Sequence, residues 1–109
     1  MYKATVCLPR NEGMSHEEYR EYYENEHAPV VDDLPGVRRY TLMFVEEDDA
    51  PYDSVAEMWF DDREAYDRAM ESDVMAELVA DVDNFGRFEE VLFVSGEESV
   101  LIEESAPVQ

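Results

Sequence analysis

A histidine beside a turn is the clearest reagent in this sequence. His27 ends the run Ser15-His16-Glu17-Glu18-Tyr19-Arg20-Glu21-Tyr22-Tyr23-Glu24-Asn25-Glu26-His27 and is followed by Ala28-Pro29. An imidazole titrates near neutrality, so it can take or give a proton during enolisation, lactone isomerisation or proton abstraction beside a carbonyl. It falls four residues after Tyr23 and eight after Tyr19, on the apolar stripe of a helix and near that helix's C-terminus. The macrodipole there favours the cation and burial disfavours it, so the protonation state stays open. The plainer role is to cap the last helical carbonyls and pack against a sheet.

Glu57 is the second unusual position. Val55 and Trp59 flank it on one strand face, so a carboxylate stands where the alternation asks for an apolar group and needs a partner. His27, Arg39 or a tyrosine hydroxyl can supply one. A bond to His27 would fix the ring's tautomer, whereas an ion pair with Arg39 would be structural. Tyr40, Trp59 and Phe85, with Tyr23 and Arg39, are candidates for lining an aromatic ligand's pocket, and the Tyr40 hydroxyl can polarise a carbonyl. Aromatics at strand positions serve equally as core. His16 opens the helix and faces solvent. One cysteine and two histidines eleven residues apart make no metal set, and Glu46 to Asp49 lacks the spacing of a calcium loop. The four glycines are dispersed, so no phosphate cradle or dinucleotide fingerprint forms and no cofactor is expected.

The elements that must position these groups are legible from periodicity. Tyr2 to Leu8 alternates as a first strand, and Ser15 with Glu18 forms a capping box, stapled by Met14 and Tyr19, that starts a helix. Pro29 should stop the regular helix near His27, with Pro29 to Leu34 making a short irregular or helical turn. Val37 to Val45 and Ser54 to Phe60 read as two strands of a long hairpin. Asp61 and Glu64 should cap a second helix, restarted at Ser72, with Ala65, Ala69, Met70, Val74, Leu78 and Val82 facing inward. Phe88 to Ser95 reads as a fourth strand, and Ser99 to Glu103 as a further edge strand. The order β-α-β-β-α-β is the ferredoxin-like, α+β arrangement, two helices on one face of an antiparallel sheet. Because the strands are apolar on both sides, the other sheet face should be covered by a second copy, giving a homodimer.

A chain of 109 residues makes one domain, expected here over residues 1–97 with an acidic tail over 98–109. Its 29 acids against 8 bases leave a net charge of -21, spread over every segment, while 45% hydrophobic residues argue for a normal core. Dispersed acidity points to a salt-rich (halophilic) cytoplasm, and it disfavours nucleic acid and anionic lipid as partners. The lone Cys7 should be a buried thiol in a reducing compartment. The chain shows no secretory h-region and no apolar run near the roughly 20 residues of a membrane span, so a cytoplasmic location is expected.

The ordered motifs Gly13-Met14-Ser15 through Glu26-His27-Ala28-Pro29, Leu34-Pro35-Gly36-Val37-Arg38-Arg39-Tyr40, Tyr52 through Asp61, and Asp83-Asn84-Phe85 resemble the EthD family of the dimeric α+β barrel superfamily. The resemblance implies a protomer that pairs through its sheet, a pocket between sheet and helices, and a small apolar or aromatic oxygenated ligand. Related barrels include isomerases, polyketide cyclases, monooxygenases without metal cofactors, decarboxylases and haem-degrading enzymes. On this footing the chain is expected to be a small cofactor-independent enzyme with His27 as acid/base and Tyr40 or Glu57 assisting. The alternatives are a non-catalytic ligand-binding or stress-response dimer, or an acidic interaction protein.

Overall fold

The computed structural model describes residues 1–103. β1 (Tyr2–Leu8) lies inside a four-stranded antiparallel sheet of order β2-β3-β1-β4, with β2 at Arg39–Phe44, β3 at Ser54–Phe60 and β4 at Leu92–Glu97. Helical segments join β1 to β2 and β3 to β4, which completes the ferredoxin-like order. Register then assigns each side chain a face. Ala4 pairs with Met58 and Val6 with Ala56, and Tyr40 and Leu42 join the same rows, so these residues turn toward the helices. They meet Val31, Leu34, Ala65, Ala69 and Leu78 in one buried cluster, and Tyr19, Tyr23 and Phe85 in a second. Lys3, Thr5, Cys7, Arg39, Thr41, Glu57, Trp59, Leu92 and Val94 belong to the alternate rows and form the open face.

The capping box forms as expected: the Glu18 N–H donates to Ser15 Oγ at 3.0 Å and the Ser15 N–H to Glu18 Oε1 at 2.9 Å. Such a cap stabilises a helix by about 1 kcal/mol. The regular helix ends before His27, however, and the chain stays helical through it. α1 (His16–Tyr22) passes into a π-helical stretch, Tyr23–His27, and on into α2 (Ala28–Val31). The Ala28 N–H donates to the Tyr23 carbonyl, five residues back. Pro29 sits in the first turn of α2, where a missing N–H is tolerated. The cause is visible in the spacing of Tyr19, Tyr23, His27 and Val31, all buried. Steps of four overshoot a 3.6-residue turn by roughly 40° each, and a wider π turn takes up the surplus so that all four stay on one face.

Other boundaries shift for local reasons. The second helix is capped by Asp62, whose Oδ1 accepts from the Ala65 N–H at 2.8 Å, while Asp61 holds Arg38 with two hydrogen bonds of 3.0 and 2.8 Å. α3 (Arg63–Met70) ends at Glu71, and α4 (Asp73–Asp81) restarts at Ser72 as expected. β2 is shorter than the apolar run, since Val37 turns back on Leu34. Phe88–Glu90 is a 3-10 turn, so β4 begins only at Leu92, opposite Cys7 near the end of β1. Ser99 to Glu103 is not a strand: the ladder with β1 ends at Tyr2 and Glu97, and among the described residues no strand lies beyond it to pair with. The rest of the expected tail, 104–109, lies outside the described residues. Cys7 is only half-buried, on the open face, where desolvation and then Glu57 raise its pKa.

Candidate functional site

A cavity of about 240 Å³ opens between the sheet and the helices. Its floor is Val6 and Leu8 of β1, Tyr40 of β2, Ala56 and Met58 of β3, and Phe93 of β4. Tyr23, His27 and Val31 form one wall, Met70 with Met75, Leu78, Val79 and Val82 the other, and Phe85, Phe88 and Val91 close the end. Three of these side chains are polar, Tyr23, His27 and Tyr40, and none is a carboxylate, lysine or arginine.

His27 is 7% exposed and reaches the last residue of α4: its Nδ1–H donates to Asp81 Oδ2 at 2.8 Å. Asp81 Oδ1 also accepts from the Tyr22 hydroxyl at 2.7 Å and from Asn84 Nδ2 at 2.9 Å. Burial pushes the Asp81 carboxyl up, but the hydrogen bonds from Tyr22, His27 and Asn84 outweigh it and hold its pKa below the usual value. Burial lowers the His27 pKa, and the bond to Asp81 only partly offsets this. The ring is therefore neutral at pH 7 with its proton on Nδ1. Among the described residues Nε2 makes no hydrogen bond, and no sealed side-chain polar atom there lacks one, so Nε2 stays accessible on a ring that lines the cavity. That is the geometry of a general base.

Phe85 seats the imidazole. It is fully buried, with ring centroids 4.8 Å from His27, 4.9 Å from Tyr23 and 5.2 Å from Tyr22. The segment carrying it is pinned to the loop after β1: the Asn11 N–H donates to the Phe85 carbonyl and the Arg87 N–H to the Pro9 carbonyl, both at 3.0 Å. Tyr23 is pushed up to about 12, chiefly by burial, and Tyr40 is raised by burial and then by Tyr23 beside it. Both phenols thus remain neutral hydroxyls at the cavity wall. Tyr19 is structural, its hydroxyl 2.7 Å from Ser54 Oγ and 3.2 Å from the Leu8 carbonyl.

The structure brings His27, Tyr40, Tyr23 and Phe85 together and separates them from Glu57, Arg39 and Trp59. Glu57 does not meet His27, because the pleat turns it with Trp59 to the open face, where it forms an ion pair with Lys3. Arg39 does not pair with Glu57 either; its guanidinium stacks on Trp59 at 4.7 Å, with Lys3 Nζ 4.9 Å from the same ring. The indole Nε1–H donates to Glu98 at 2.8 Å. Asp81 escaped the sequence reading, which placed Tyr22 and Asn84 only within motifs and gave them no role beside His27. Asp81 follows the inward Leu78 by three residues, which marks its helix position, but it is one acid among 29. Among the described residues no group of three or more His, Cys, Asp or Glu side chains converges to hold a metal.

Comparison with protein families matches residues 11–88 to the EthD domain. Curated protein sequences contain no match. Solved structures share the fold at low identity. An ethyl tert-butyl ether d (EthD) family protein from Bacillus halodurans superposes with a TM-score of 0.77 at 24% identity, over 91% of this chain and 99% of that one. SnoaB, a cofactor-independent oxygenase from Streptomyces nogalater, gives 0.67 at 16% identity over 94% and 97%. A dimeric ferredoxin-like protein of unknown function from Thermobifida fusca gives 0.69 at 10% identity over 87% and 88%.

Proposed function

The chain belongs to the EthD domain family, and from that premise we propose that it is a small cofactor-independent enzyme that removes a proton from an aromatic or enolisable carbonyl compound, with His27 as the base. The observation that carries this is the His27 imidazole, tied at Nδ1 to Asp81 at 2.8 Å, with Nε2 free of hydrogen bonds, in a cavity whose other polar side chains are Tyr23 and Tyr40. Nε2 takes the proton from carbon, the new imidazolium is stabilised by the Asp81 carboxylate, and the enolate oxygen accepts a hydrogen bond from Tyr40 or Tyr23. The carbanion can then react with oxygen, cyclise or be reprotonated elsewhere. A likeness to the cofactor-independent oxygenase SnoaB supports the first of these outcomes.

The working unit in this reading is a homodimer closed through the open sheet face. Met43, Leu92 and Val94 are exposed there on the single chain, and several structural neighbours are described as dimeric. Among the described residues no helix is long and apolar enough to cross a membrane, and a cytoplasmic setting is part of the proposal.

The test is hydrogen–deuterium exchange at the acidic carbon of anthrone in anaerobic D2O. Wild type should accelerate exchange by about a hundredfold or more over His27→Ala, the range in which a positioned base acts. Equal rates for the two folded proteins would refute the base. A non-catalytic ligand-binding dimer, favoured by the same cavity, would then be the better reading.

A further inference from the structure

We infer that the cavity accepts an uncharged ring compound and rejects the same molecule when it carries a carboxylate. This rests on the preceding reading only in placing the reacting carbonyl near His27. A buried anion needs a cationic or multiply donating partner, and moving it into an apolar site without one is strongly unfavourable. The chain has eight basic residues, and none lines the cavity. The full charge standing nearest in the hydrogen-bond network is Asp81, itself an anion. His27 does not compensate, because its Nδ1–H is committed to Asp81 and a second proton on Nε2 is opposed by burial. The remaining donors are the hydroxyls of Tyr23 and Tyr40, suited to a carbonyl oxygen.

The lining also selects shape. Met58, Met70 and Met75 are flexible thioethers that pack well against aromatic rings, and Phe85 and Phe93 present further ring surface. At about 240 Å³ the space is smaller than the roughly 300–1,000 Å³ of pockets for drug-sized ligands, so a compact fused-ring carbonyl is the matching class.

The experiment compares two probes of one shape, 2-acetonaphthone and 2-naphthoate, by calorimetric titration at neutral pH in molar potassium chloride, where long-range repulsion from the acidic surface is screened. The ketone should bind at least about a hundredfold more tightly. Val79→Lys supplies a cation at the cavity rim, where the wild-type residue lines the space yet is 42% exposed and tolerates a charge. It should narrow the affinity ratio of ketone to naphthoate about tenfold. Equal affinities of the wild type for the two probes would overturn the inference, as would failure of the ketone to bind. Proton exchange is a separate readout: a bound ketone and a rejected carboxylate, with no catalysed exchange at anthrone, would uphold this inference while refuting the base.

Discussion

His27 Nδ1 and Asp81 Oδ2 stand 2.8 Å apart across 54 positions of sequence. One partner lies at the end of a π-helical stretch and the other at the last residue of α4. Neither local element requires the other. The π turn keeps His27 on the buried face already occupied by Tyr19 and Tyr23, and Ser72 sets the start of the helix that ends at Asp81. The contact couples the π-helical stretch to α4, and the Tyr22 hydroxyl of α1 reaches the same carboxylate.

Removing the carboxylate should separate positioning from folding. Asp81→Asn keeps the size of the side chain but withdraws the charge that stabilises an imidazolium, so exchange at anthrone should fall at least about tenfold. Tyr22→Phe deletes one of three hydrogen bonds to Asp81 and should cost about 1 kcal/mol of stability with the rate nearly unchanged. Rates and denaturation midpoints on both variants check this, and a rate indifferent to Asp81→Asn would make the pair purely structural.

The pH dependence has a defined sign. The His27 pKa is below 6.5 in the folded chain, so the unfolded chain binds a proton more readily in the interval between the two values. Stability should be full above 6.5 and decline as pH falls through that interval, and base activity should fall with the same folded-state titration. Asp81, whose pKa is also lowered, adds a further loss below 3.8. An NMR titration of the imidazole, with unfolding midpoints across the same range, tests both; a His27 pKa above 6.5 would reverse the sign.

Much of the scaffold was legible because it obeys one-dimensional rules. β1 and β3 match their alternation from end to end, and the Ser15 and Ser72 caps sit where their side chains can accept from the chain three residues on. The errors fall where tertiary pairing decides. β4 starts opposite the end of β1 and not at the first apolar residue of its run, and Glu57 follows its strand's parity to the open face. His27, Tyr23, Tyr40 and Phe85 were legible as site candidates from type and spacing. Asp81 was not, because in so acidic a chain a carboxylate carries little information until its distance to another side chain is known.

Gly86 makes the placement of Phe85 possible. A Cβ added there would lie 2.6 Å from Leu8 Cδ2 and 2.7 Å from Leu8 Cγ, and Leu8 is locked in the core at 2% exposure. Gly86→Ala should therefore cost about 1–3 kcal/mol through overpacking. It should also weaken binding of 2-acetonaphthone, because the displaced backbone carries the ring that seats His27. Thermal denaturation and titration of this variant would show both effects, and an unchanged Tm would mean that Leu8 yields freely.

The proposed dimer predicts that charge on the open face is disruptive. Met43→Asp together with Val94→Asp places carboxylates on two exposed positions of adjoining rows, which is harmless to a monomer and unfavourable inside an interface. Sedimentation should report a dimer for wild type and a folded monomer for the double variant. A wild-type monomer at micromolar concentration would remove the sheet-to-sheet assembly from the proposal.

Salt should control stability more strongly than any single contact. With 29 acids against 8 bases, at least 21 carboxylates have no basic side chain of their own, as the net charge of -21 states. The surface ion pairs that do form, such as Arg20–Glu24 at 3.1 Å and Arg38–Asp61 at 2.8 Å, are exposed and individually weak. Repulsion among the remainder acts over about 10 Å at 0.1 M salt and about 3 Å at 1 M, so compact folding is opposed in dilute buffer and released as salt rises. The Tm should climb continuously into molar potassium chloride. An equal osmotic strength of sucrose, which strengthens burial by exclusion but screens no charge, should produce a smaller rise. Matching curves in the two solutes would assign the effect to burial, and a Tm independent of salt would refute adaptation of this surface to a salt-rich interior.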